Sequence, residues 1–272
     1  MPDSFQTRRR RWHSHLLRTT GSPMAEQPVS ESAPAAPKLR LFQFAPALGL
    51  PNGSPFCVKL ETWLRIAGLD YETVITPDPR KMPLGKLPAL EIDGKIIADS
   101  GCAIHALQKH FDLKLDTQLS TVERGRALAL IRMLEEHSYW ALMYFRWIDE
   151  DNWPNTRKAF FGNLGGLSQS LVAGLVRRKM RRDALGQGLA RHSRDQVLHR
   201  FNEDMNALAA NLGERPYFGG YQPATVDASA YGILSNVLQA SQRTVLADIA
   251  EQHASLVAYA QRMRENYFPE FQ

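Results

Sequence analysis

Ser54-Pro55-Phe56-Cys57-Val58-Lys59-Leu60 opens the stretch on which the reading of this 272-residue chain turns. Behind it Leu60, Trp63, Leu64 and Ala67 recur at i, i+3, i+4 and i+7, the spacing of one buried helix face, and Gly68 ends the helix. Serine is a good N-cap, and Pro55 falls at the first helical position, where its missing N–H costs nothing. Upstream, Lys38-Leu39-Arg40-Leu41-Phe42-Gln43-Phe44 alternates polar and apolar with the period of a strand, and a turn-rich loop from Pro46 to Gly53 follows it. Downstream, Tyr71 to Thr76 is β-branched and aromatic, a second strand. Pro77 to Gly85 is a proline-rich connection with room for one helical turn. Ala89 to Ala98 reads as a hairpin around Asp93-Gly94, and Ser100 to Phe111 as a helix.

Two strands separated by a helix run parallel with a right-handed crossover, and the hairpin adds an antiparallel edge. That order is the topology of a thioredoxin fold. After Asp116 the strand signals stop. Thr121 to Ile148 is one long helical stretch with Leu128, Ile131, Leu134, Ser138, Leu142 and Phe145 down one side. Further helices are expected at 167–181, 193–212, 225–239 and 253–266, so the second half is a helical bundle. The expected organisation is a disordered leader 1–37, a thioredoxin-like domain 38–112, a linker 113–120 and an all-helical domain 121–272. The leader is rich in Ser, Pro, Ala and Gln from Gly21 to Pro37 and has little to bury. Its Arg-rich, acid-poor opening reads either as an organelle-targeting presequence or as a leader upstream of a start at Met24.

The formal charge is +5, but Arg8, Arg9, Arg10, Arg11 and Arg18 against Asp3 supply four of those charges. The remainder is close to neutral, and its net charge gives no reason to expect a nucleic-acid partner. Cys57 and Cys102 are the only cysteines, too few for a disulfide framework or a zinc quartet, which fits a reducing, cytoplasmic setting. Eight histidines are scattered without ligand spacing, so no metal site is expected. No apolar run approaches the ~20 residues of a membrane span, and Tyr267 to Gln272 carries no hydrophobic tail anchor. P-loop, G-x-G-x-x-G and H-E-x-x-H patterns are missing from the sequence.

Ser54-Pro55-Phe56-Cys57 resembles the Cys-Pro-Tyr/Phe-Cys active-site start of glutaredoxins, with Ser in place of the first Cys. Leu87-Pro88 before the hairpin resembles the cis-proline of thioredoxin-fold proteins, and Asp99-Ser100 stands where glutathione transferases carry Glu-Ser or Gln-Ser. With an all-helical domain behind them, these features are similar to the glutathione S-transferase superfamily over residues 38–268. Ser-Pro-Phe-Cys and the paired Tyr and Trp residues of the long helix look most like its metaxin and failed-axon-connections branch. The resemblance implies glutathione as co-substrate, a small hydrophobic electrophile as acceptor, and a homodimer.

It also implies roles. Ser54, at a helix start that favours an anion, would donate to the glutathione sulfur and favour its thiolate, the alternative being a plain N-cap. The Leu87 backbone before Pro88 would pair with the cysteinyl backbone of glutathione as an added strand does. Ser100 and its N–H would hold the γ-glutamyl carboxylate, or merely cap their helix, and Asp99 would face the ammonium group. Asp99 is shorter than the family's Glu or Gln. Tyr139 and Arg146, within the aromatic group Tyr139, Trp140, Tyr144, Phe145, Trp147 and Trp153, would wall the acceptor pocket, the alternative being interdomain core. Cys57 and Cys102 read as small hydrophobes, since no second thiol accompanies Cys57 in the motif. At Pro223-Ala224-Thr225-Val226-Asp227 the family's capping Ser or Thr is Ala224, with Thr225 the neighbouring substitute, and Asp227 reads as structural. The run Arg177, Arg178, Lys179, Arg181, Arg182 reads as a solvated face. Two functions remain: a glutathione transferase or glutathione-dependent reductase, and a non-catalytic metaxin-like interaction module that keeps the fold.

Overall fold

The computed structural model describes residues 38–271, and the expected leader 1–37, with its targeting reading, lies outside them. Strand β1 (Leu39–Gln43) alternates as the sequence predicts and leads through the loop into α1 (Pro55–Ile66). β2 (Glu72–Ile75) pairs parallel to β1 with Phe42 opposite Val74. The connection after β2 holds a single helical turn, Pro79–Lys81, capped by the Asp78 side chain. β3 (Ala89–Ile92) and β4 (Lys95–Ala98) form the hairpin. Asp93 and Gly94 both take positive φ, +48° and +83°, the two-residue turn whose twist matches the strands it joins. The sheet order is β2-β1-β3-β4, with β3 antiparallel to β1. α2 (Ser100–His110) follows.

Leu39, Leu41, Leu90 and Ile92 of the sheet meet Leu60, Trp63 and Leu64 of α1, together with Ala103, Ile104 and Leu107 of α2, in one buried cluster. The expected apolar face of α1 is that contact. The helix is nevertheless buried nearly all round, Lys59, Glu61 and Thr62 included, because α8 (Thr225–Leu234) lies along its other side. Gly232 is what allows the approach: a Cβ there would stand 2.6 Å from the Pro55 carbonyl oxygen and 3.3 Å from the Lys59 nitrogen.

The long helix runs from α3 (Thr121–Met133) through a π turn at Leu134–Ser138, α4 (Tyr139–Met143) and a second π turn at Tyr144–Ile148. Ser120 and Glu123 form a reciprocal capping box at its start. Beyond it lie α5 (Trp153–Phe161), α6 (Gly166–Gln187), α7 (Arg194–Leu212), α8 with a π turn at Ser235–Gln239, α9 (Val245–Ala250) and α10 (Ala254–Tyr267). α5 and α9, of nine and six residues, were not expected from the sequence. Both are too short for apolar periodicity to stand out from their flanking loops. α6 runs six residues past its expected end, to an αL cap at Gly188. The helices share a core of Leu134, Leu142, Phe145, Phe201, Met205, Leu208, Tyr231 and Tyr259, into which α1 contributes Val58. The described residues 38–271 fall within one compact unit.

Asp227 is fully buried beneath this core. Its carboxylate accepts from the N–H groups of Phe218 (2.8 Å), Gly219 (3.0 Å) and Ala224 (2.8 Å). Thr225 does not replace the missing capping hydroxyl. Its Oγ1 instead accepts from Trp63 Nε1 at 3.2 Å, tying α8 to α1, and its N–H donates to Asp116 Oδ1.

Candidate functional site

The N-terminal half of α1 gathers the motif residues. Ser54 occupies the N-cap position in extended conformation with Pro55 behind it, yet its hydroxyl makes no bond to the first-turn amides. The serine caps by position only. Its backbone is held instead: Ser54 N–H donates to Asn52 Oδ1 (3.0 Å), and Asn52 Nδ2 donates to the Phe44 carbonyl (2.7 Å) at the end of β1. One residue earlier, the Gly53 carbonyl accepts from Arg146 Nη1 at 2.7 Å. Phe160 of α5 stands so close to Gly53 that a Cβ there would meet its ring at 2.9 Å.

Arg146 therefore lies where its charge cannot reach solvent. It is 3% exposed, donates through Nη2 to Asn236 Oδ1 (3.2 Å), and has Phe160 over its guanidinium. Burial pulls its pKa down to about 10. It acts on the loop before Ser54 from behind, as a positioning residue. Tyr139 is half-buried, its ring 4.8 Å from that of Phe56, and burial pushes its hydroxyl up to about 12. The remaining aromatics are divided. Phe145 and Trp147 are buried in the helical core, and Trp147 packs against Trp153, Phe160 and Phe161.

Cys57 is fully buried against Phe42, Leu87 and Ala89. Burial drives its thiol up to about 12, with the Ser54 side chain and the Phe44 backbone pulling weakly the other way. A thiol held that far above neutral pH is no nucleophile. The same cluster brings Leu87 beside the start of α1, and the Leu87–Pro88 peptide bond is cis.

Asp99 is the N-cap of α2, not Ser100. Its φ is +76°, and its Oδ1 accepts from the N–H groups of Gly101 (2.8 Å) and Cys102 (3.0 Å). Ser100, the first helical residue, is buried. The expected partner of a ligand ammonium thus already bonds to the amides that favour an anion.

Beside this helix start lies a group that periodicity missed. A Cβ on Gly101 would be 3.2 Å from Asp99 Oδ1 and 4.0 Å from Lys59 Nζ. The Lys59 ammonium, nearly buried, pairs with Glu135 Oε1 of the first π turn at 2.6 Å, and Ser229 Oγ of α8 donates to the same oxygen at 2.6 Å. A lysine five residues into a helix opening on Ser-Pro-Phe-Cys was the available signal. Its largely buried partner Glu135, seventy-six residues away in the long helix, was not. No group of three or more His, Cys, Asp or Glu able to hold a metal occurs among the described residues.

The family model for the glutathione S-transferase N-terminal domain matches residues 55–152, and that for the C-terminal domain matches residues 201–263. The isoprene-epoxide glutathione S-transferase of Rhodococcus sp. (strain AD45) is 30% identical over 237 residues, 84% of this chain and 99% of that protein. Failed axon connections of Drosophila melanogaster is 30% identical over 250 residues, 85% of this chain but 58% of the fly protein's length. Human metaxin-2 is 24% identical over 218 residues, 78% of this chain and 81% of its own. Among solved structures, a β-etherase from Sphingobium sp. strain SYK-6 superposes with a TM-score of 0.57 at 19% identity, over 86% of this chain and 98% of that one. The chain belongs to the glutathione S-transferase family, in the company of both an epoxide-conjugating enzyme and the metaxin-like proteins.

Proposed function

We propose that this protein binds glutathione along α1 and transfers it to an electrophilic small molecule. The observation that carries the reading is the Ser54 hydroxyl: it sits at the start of α1, the helix whose Cys57 packs against Leu87 of the cis Leu87–Pro88 bond, and is not spent on capping. Aimed at a bound sulfur, it donates a hydrogen bond that lowers the thiol pKa. The thiolate then attacks an electrophilic carbon; a C–O or C–halogen bond breaks, and an alkoxide formed that way takes its proton from water. The Leu87 backbone, just before the cis Pro88, offers strand-like pairing to the peptide. The similarity to the Rhodococcus enzyme supports an activated small electrophile as acceptor.

A second reading, a fold kept as an interaction module, draws on Asp99. Its carboxylate already bonds to the Gly101 and Cys102 amides, where a γ-glutamyl carboxylate would otherwise be drawn. Calorimetric titration of glutathione, paired with the thiolate absorbance of the bound ligand across pH, separates the two. The transferase reading expects binding at physiological glutathione and a higher bound-thiol pKa in Ser54→Ala. No binding up to about 10 mM, weaker than roughly 3 kcal/mol, would leave the module.

A further inference from the structure

Helix α6 turns an unusual face outward. It docks by its inner side, where Ala173 and Ala184 are buried and Arg177 donates to the carbonyls of Trp147 and Ile148 while lying over Trp153. Its outer side is divided along the axis. The first half carries Leu167, Leu171 and Leu175, exposed by 91%, 65% and 61%, and the second half carries Arg178, Arg181 and Arg182, all exposed. At 100° per residue these six positions fall on one side of the helix. Leu164 adds a further exposed leucine in the bend, where α5 and α6 meet at 117°. The two family matches, 55–152 and 201–263, leave this hairpin outside both.

We infer that the α5–α6 hairpin is a docking element for an anionic bilayer surface, its leucine tip entering the acyl region and its arginines resting on lipid phosphates. The dimensions agree. Eleven residues separate Leu167 from Arg178, roughly 16 Å of helix, against about 5–8 Å of headgroup on each side of a hydrocarbon core. No single helix is long and apolar enough to cross a membrane among the described residues; α5 and α6 reach that length and composition only as a pair bent by 117°, and the arginines on α6 hold the hairpin at the interface. Charge chooses the occupant. Four exposed cations, Arg178, Lys179, Arg181 and Arg182, are answered by Glu150 and Asp183 alone among the described residues. A second copy of the chain fits poorly: antiparallel two-fold pairing sets leucines against arginines, and parallel pairing sets arginine against arginine. The large exposed side chains of the tip, Leu164, Leu167 and Leu171, are aliphatic, which suits fluid acyl chains.

The test uses the full chain in flotation with vesicles of phosphatidylcholine alone and of phosphatidylcholine doped with phosphatidylserine. Binding is expected to the anionic vesicles only and to weaken with salt. Arg178→Glu with Arg182→Glu should lower partitioning at least about tenfold, and Leu167→Asp with Leu171→Asp comparably. Arg8 to Arg11 of the leader can attract the same lipid, so a second readout isolates α6. An environment-sensitive dye on Leu167→Cys, in a Cys102→Ser background, should shift to the blue on anionic vesicles. Partitioning unchanged in both variants, a dye that stays at its aqueous wavelength on vesicle-bound protein, or a blue shift that follows protein concentration without vesicles would each overturn the inference.

Discussion

Replacing Arg146 by Met tests how the loop before Ser54 is held. The guanidinium donates to the Gly53 carbonyl and to Asn236 Oδ1, and bonds from a charged donor are worth about 1.5–3 kcal/mol each, so their loss costs about 3–6 kcal/mol. Against this, burial holds the group at about 10 instead of 12.5, a penalty of about 3 kcal/mol that an apolar side chain of similar volume removes. The net loss for Arg146→Met is therefore small, about 0–3 kcal/mol. Arg146→Lys should be worse: it keeps a buried cation, more strongly hydrated than guanidinium, and one ammonium does not span both acceptors as the planar fork does. Urea denaturation of the three proteins gives the ranking, parent above Met above Lys. Hydrogen exchange should rise in both variants across residues 46–58 and stay unchanged in the sheet. A lysine variant within about 0.5 kcal/mol of the parent, or a methionine variant that loses more than about 4 kcal/mol, would refute the balance of terms.

Asp227→Ala strips the acceptor from three buried amides and should cost about 3–6 kcal/mol, with Asp227→Asn recovering part of it; a loss under about 1 kcal/mol in urea titration would show that water replaces the carboxylate. His137 Nδ1 lies 2.7 Å from Asp204 Oδ2, which also accepts from Ser138 Oγ, and this pairing raises the imidazole pKa. Because the folded value lies above the unfolded one, the stabilisation is full below about pH 6.5 and lost as pH rises through the raised folded value; melting curves from pH 5.5 to 9 should show that decline in the parent and a flatter profile in Asp204→Asn. Iodoacetamide at pH 8 should label exposed Cys102 and spare Cys57, whose thiol is buried and pushed up to about 12, and peptide mass mapping that found Cys57 alkylated in the folded protein would contradict its burial.

Local pattern sufficed wherever a residue's role depends on its near neighbours. The strand alternation before the loop, the i, i+3, i+4 face of α1 and the Asp-Gly turn are short-range consequences of backbone sterics and apolar spacing, while the cis Leu87–Pro88 bond was foreseen only through the family resemblance. The order of those elements was enough to foresee the four-stranded sheet and the helical half behind it. Asp227 also read correctly as structural, because an acid at the third position of a helix start has amides within reach.

Contacts between elements distant in sequence lay beyond such reasoning. Periodicity assigned α1 one buried face, but α8 covers the other, and only the closeness permitted at Gly232 reveals it. The pairing of Lys59 with Glu135, the grip of Arg146 on Gly53 and the choice of Asp99 over Ser100 as cap are decided by which helices meet and at what depth. A buried charge is tolerable only where a partner happens to be placed, and that placement is a property of the packed molecule. By itself, the sequence determined the elements, their order and the family's motif. The tertiary structure decided which polar side chains are spent on holding the site together and which, like the Ser54 hydroxyl, make no bond to the amides of the helix they open, because hydrogen-bond satisfaction is settled in three dimensions.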